Sequence, residues 1–144
     1  MKFIVFATLI TSIFLASCGK GLTTKPQISI ESITPIIPVG GEFNATLKFT
    51  DKQGDLGGGT FSSIIVPTNI LPPPNGNNLT SVILDTVPDF PNNSVGEIQV
   101  TLPANSFEQQ TLRNDTLVMK FVVIDRGGNI SDTVTSKMIV ALYQ

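Results

Sequence analysis

Beyond residue 26 the chain alternates apolar and polar side chains with a period of two. Phe43, Ala45, Leu47 and Phe49 alternate with Asn44, Thr46, Lys48 and Thr50, which puts the apolar set on one face of an extended strand. Leu117, Met119, Phe121 and Val123 alternate with Val118, Lys120 and Val122, a strand apolar on one face and nearly so on the other. In a last strand Val134, Ser136 and Met138 oppose Thr133, Thr135 and Lys137. Shorter apolar-rich runs predict strands over residues 27–33, 61–66, 80–87 and 96–102. Turn formers separate them: Pro38-Val39-Gly40-Gly41, Pro72-Pro73-Pro74-Asn75-Gly76, Pro91-Asn92-Asn93 and Arg126-Gly127-Gly128-Asn129. No helix-period segment and no internal repeat competes with this pattern. About seven short strands so punctuated predict one antiparallel immunoglobulin-like β-sandwich over residues 27–144. The chain has one Cys and no Trp, so the core must come from Ile, Val, Leu and Phe without a disulfide.

Residues 3–15 depart from that pattern. They form an uncharged, mostly apolar run after Met1-Lys2, and as a helix they cover about 20 Å, short of the roughly 30 Å bilayer core. The run therefore reads as the hydrophobic region of a signal peptide. It ends in Leu15-Ala16-Ser17-Cys18, which resembles the lipobox of bacterial lipoproteins. That resemblance implies cleavage before Cys18, a diacylglycerol thioether on its sulfur, and an acyl group of the palmitate kind on the new amino terminus. Residues 1–17 are then the lipoprotein signal peptide, and residues 18–26 the lipidated Cys with a flexible linker. Two or three acyl chains, at about 0.8 kcal/mol per buried methylene, anchor far better than one. Gly19 follows the Cys where enteric lipoproteins retained in the inner membrane carry Asp, so the resemblance implies the outer membrane. The linker from Gly19 to Lys25 spans at most about 25 Å and lacks the acidic run that marks surface export in some Bacteroidota lipoproteins. A periplasm-facing position is favoured.

Charge and composition narrow the function. Nine basic against eleven acidic side chains give a net charge of −2, which excludes nucleic acid as a partner because a clustered basic surface is missing. The chain has no His, which removes the usual general base near neutral pH. A lone Cys leaves no thiolate zinc site. Ser17-Cys18-Gly19-Lys20 fits the S-x-x-K nucleophile pattern, but lipoprotein cleavage falls inside it. Gly57-Gly58-Gly59 is followed by no Lys-Ser/Thr pair and so cradles no phosphate. The expectation is a non-enzyme without a cofactor.

In a sandwich the loops at residues 51–59, 88–95 and 125–129 share one end. Asp51, Asp55, Asp125 and Asn129, with Asp89 nearby, are candidate calcium ligands there, because calcium takes several oxygens in irregular geometry. Lys52 opposes such a site, and the alternative is that these residues only form turns. The stretch from Phe49 to Gly57 and that from Val123 to Val134 resemble segments of uncharacterised Bacteroidota lipoproteins with Ig-like domains, which implies fold and compartment. Asp85-Thr86-Val87, Asp115-Thr116-Leu117 and Asp132-Thr133-Val134 resemble the O-glycosylation acceptors of exported Bacteroidota proteins, which makes Thr86, Thr116 and Thr133 candidate acceptors. Phe90 and Phe107 lie in apparent loops and are candidate partner contacts, as is the proline-rich loop around residues 72–78. The function expected is a membrane-anchored, non-catalytic binding or scaffolding module for another envelope protein. The alternative is a calcium-dependent, small-ligand or glycan-binding domain, with a hydrolase a distant third.

Overall fold

The computed structural model describes residues 24–69, 80–91, 93–107 and 114–143. The predicted signal peptide, Cys18 and the proline-rich loop lie outside the described residues. The strands are β1 (Gln27–Ile33), β2 (Ile36–Ile37), β3 (Glu42–Thr50), β4 (Thr60–Pro67), β5 (Ser81–Thr86), β6 (Val95–Pro103), β7 (Asp115–Ile124), β8 (Val134–Thr135) and β9 (Ile139–Ala141). One 3-10 turn, Ala104–Phe107, follows β6. No helix among the described residues is long and apolar enough to cross a membrane.

The strands form two sheets, one ordered β1-β3-β6 and the other β2-β9-β7-β4-β5, with β8 also on β7. All pairings are antiparallel except β2 with β9. The period-two alternation explains the packing between the sheets. Phe43, Leu47 and Phe49 from β3 meet Phe61 and Ile65 from β4 and Leu117, Met119, Phe121 and Val123 from β7 in one buried core. Phe61 and Phe121 stack at 5.9 Å and 20°. The fold is an immunoglobulin-like antiparallel β-sandwich.

The last strand differs from the expectation. It is split into β8 and β9, and Met138, assigned inward by simple alternation, is 63% exposed. The cause lies in the register against β7. Pairing runs Ile124 with Ile130, Phe121 with Val134, Lys120 with Thr135, and Leu117 with Ile139. Between Ile124 and Phe121, and again between Lys120 and Leu117, the partner strand carries one extra residue, the mark of a β-bulge. A serine stands at each slip. Ser131 Oγ accepts the Val123 N–H at 3.0 Å and Ser136 Oγ accepts the Met119 N–H at 2.9 Å. Each serine also donates its own N–H to the carbonyl of the same β7 residue, at 2.9 Å and 2.8 Å. The hydroxyls thus take amides that the interrupted ladder leaves open.

Candidate functional site

From β3 to β8 successive strands reverse direction, so the β3–β4, β5–β6 and β7–β8 connections meet at one end, as the sequence led us to expect. Contacts tie them together there: Asp51 N–H donates to Ser94 O at 2.8 Å, Gly58 N–H to Val87 O at 2.9 Å, and Arg126 N–H to Asp55 O at 3.2 Å. β1 begins at this end, since Gln27 pairs with Thr50. Lys25, just before it, forms an ion pair with Asp132.

Three of the predicted ligands converge. One carboxylate oxygen each from Asp51, Asp55 and Asp125 lies within 4.8 Å of the other two. Asp51 is fully buried, and its Oδ1 and Oδ2 accept the N–H groups of Gln53 at 3.3 Å and Asp55 at 2.9 Å. The turn that brings Asp55 back passes through Gly54 at φ 69°, a left-handed conformation suited to glycine. Asp125 Oδ1 accepts the Asn129 N–H at 2.7 Å. Gly127 runs close over the group, where an added Cβ would lie 3.2 Å from Asp125 Oδ1 and 3.4 Å from Asp55 Oδ2. Among the described residues Asp55 Oδ1 is buried with no hydrogen-bond partner. Burial, with the Asp55 carboxylate as a lesser cause, raises the Asp51 carboxyl above its ordinary 3.8, although the two amide hydrogen bonds pull the other way.

The remaining candidates are placed differently. Asn129 directs its side-chain N–H to Asp125 Oδ2 at 2.9 Å, so it braces that carboxylate rather than adding a ligand oxygen. Asp89 stands apart from the trio, beside an open depression with Phe90, Pro91 and Arg126. Lys52 is exposed. Phe90 is half-buried and stacks on Phe49 at 5.3 Å. Phe107 is corrected outright as a partner contact: it is 1% exposed and packs on Phe43 at 5.4 Å, because the 3-10 turn folds its ring into the core. Thr86 and Thr133 are exposed. Thr116 is half-buried in β7, where its hydroxyl accepts that of Thr68 at 2.8 Å and its N–H bonds Asn69 Oδ1 at 3.0 Å. Sequence reasoning missed Ser131 and Ser136; the one signal was Ser136 as a small polar residue on the Val134 side of the predicted last strand.

No family model and no curated protein matches the chain. Among solved structures it is similar to the "Cohesin module from Clostridium perfringens ATCC13124 family 33 glycoside hydrolase", at 12% identity over 85% of this chain and 100% of that one, with a TM-score of 0.36. At that level no residue role and no ligand carries across.

Proposed function

We propose that the chain is a lipid-anchored, non-catalytic binding or scaffolding module of a bacterial outer membrane, facing the periplasm. The observation that carries this reading is the position of the only Cys, at the end of an apolar run and a few residues ahead of β1. The short linker then holds the sandwich by its acidic end, close to the lipid surface. The partner is another envelope protein, and the exposed Thr86 and Thr133 are the acceptors most open to glycosylation. Replacing Cys18 with Ala should leave the protein unprocessed or released from the membrane, as read by membrane fractionation. A processed Cys18→Ala protein that still partitions with detergent would overturn the anchor.

A second reading concerns the acidic end, and the unpartnered Asp55 Oδ1 favours it. The carboxylates of Asp51, Asp55 and Asp125 would hold a calcium ion. Two oxygens on one calcium, each at about 2.3–2.6 Å, stand at most about 5 Å apart, and the trio's 4.8 Å limit meets that condition. An all-oxygen donor set suits calcium over softer metals. The ion would offset the mutual repulsion of three carboxylates and lock two loops together. Calcium at a hundred times its dissociation constant should stabilise the fold by about 2.7 kcal/mol, seen as a higher Tm. Asp55→Asn should abolish that shift. Protonation competes with the ion, so the shift should shrink as the pH falls through the raised value of Asp51. Without calcium the sign reverses. A carboxyl raised in the native state takes up its proton before the unfolded chain does, so stability rises as the pH falls toward 3.8. A melt indifferent to calcium would leave these residues as turn formers.

A further inference from the structure

On the side away from β1 and β2, the two sheets end in β6 and β5, and neither strand has a further neighbour among the described residues. The edges differ in what their backbones offer. The β3–β6 ladder is flanked by hydrogen bonds from Asp51 N to Ser94 O and from Ala104 N to Gly41 O, and both pairs keep the ladder's register. Bonded and non-bonded pairs alternate in an antiparallel ladder, so Gly96, Ile98, Val100 and Leu102 direct their backbone groups to β3. Glu97, Gln99 and Thr101 direct theirs to the open side. On β5 the bond from Val87 N to Gly59 O sets the phase in the same way and turns the Thr86 amide outward. Asp85 Oδ1 already takes that amide, at 2.7 Å. Val82 and Leu84 share that outward phase, so β5 stays partly open; β6 is the longer edge, with Glu97, Gln99 and Thr101 in an unbroken outward series.

A cleft of about 110 Å³ runs between these edges. Residues 98–102 line it without a break. Since alternate side chains of a strand point to opposite faces, an unbroken run means that the wall is the backbone edge of β6. Phe61 and Ile83 form the apolar floor, and Asp85 stands at the far wall. Asp85 forms no ion pair among the described residues. The volume is below the roughly 300 Å³ of a small-molecule pocket, and below the 150 Å³ cavity that accepts benzene. It suits one aliphatic side chain.

We propose that β6 receives an extended peptide segment of a partner protein as the fourth strand of the smaller sheet. The segment bonds the N–H and C=O groups of Glu97, Gln99 and Thr101, buries an aliphatic side chain in the cleft, and presents a Lys or Arg to Asp85. Strand addition of this kind takes affinity from the backbone and specificity from alternate side chains. The occupant is an extended peptide because only that supplies a ladder of backbone groups, and a basic one because Asp85 is the charged side chain in the lining. The proposal rests on the reading of the chain as a binding module and names the partner's chemistry.

The test pans a phage-displayed library of random linear peptides on the full chain in detergent. Enriched peptides should alternate aliphatic residues and carry a basic one. Bound to the chain, they should slow amide exchange at Glu97, Gln99 and Thr101 and leave β1, the other edge of the same sheet, unchanged. Gln99→Pro removes an outward N–H that the β3–β6 ladder does not use, and should weaken binding by about tenfold or more. Asp85→Asn, which leaves the edge intact, should weaken basic peptides several-fold and remove the salt dependence of their binding. Failure to enrich any peptide, or peptides that protect other amides, would overturn the proposal. Such a failure would leave the membrane fractionation of Cys18→Ala unaffected, so the two readings fail separately.

Discussion

The two flanks of the sandwich treat their strand ends in opposite ways. On the β7 flank the chain closes itself: β8 and β9 follow β7, β2 adds in parallel to β9, and Val140 N and Leu142 N bond Pro35 O and Ile37 O, each at 3.0 Å. Two bulges interrupt that flank, and a serine hydroxyl fills each gap. On the β6 flank the ladder is regular for nine residue pairs and then stops, with no further strand among the described residues. An edge of this length exposes backbone groups that proteins usually guard with charge, proline or bulges. Here Glu97 and Pro103 guard the two ends, while Gln99 and Thr101 between them are uncharged. On the irregular flank side chains thus take the amides that the interrupted ladder leaves open, whereas the regular flank ends in a long edge whose outward amides no side chain takes among the described residues. Regularity of pairing says little about whether a surface is finished.

This contrast can be tested by substitution. The largest effect lies in the core that both flanks share. Phe121 is fully buried on the Phe61 ring, so Phe121→Ala should destabilise by about 3–5 kcal/mol, read from the denaturation midpoint. That is a large share of the roughly 5–15 kcal/mol that holds a domain together. On the closed flank, Ser136→Ala would leave the buried Met119 N–H without an acceptor and should destabilise by about 1–3 kcal/mol. Ser131→Ala should do the same through Val123. On the open flank, Gln99→Ala touches an exposed side chain whose backbone bonds no neighbouring strand among the described residues, and should stay within about 0.5 kcal/mol of the parent. If Gln99→Ala proved as harmful as Ser136→Ala, the β6 edge would be covered within the chain and the contrast would fail.

Much of the fold was legible because the alternation of Phe43 to Phe49 and of Leu117 to Val123 leaves one arrangement that buries the apolar face. The acidic end was legible too, since strand reversal alone places residues 51–59 and 125–129 together. Alternation failed at Met138, where the bulges at Ser131 and Ser136 shift the register by a residue each, and a period-two rule carries no record of such shifts. Phe107, placed in a loop as a candidate contact, went the other way because a turn can fold an apolar ring inward as readily as a strand can.

The sequence by itself determined the strand content, the inward face of β3 and β7, and which carboxylates share an end. These follow from local periodicity and chain direction. Only the tertiary structure decided that β5 pairs with β4 rather than with β6, that Asn129 braces Asp125, and that Asp55 keeps a buried oxygen without a partner among the described residues. Those outcomes depend on which neighbour reaches a hydrogen-bonding group first, and that competition among distant segments is absent from any local pattern.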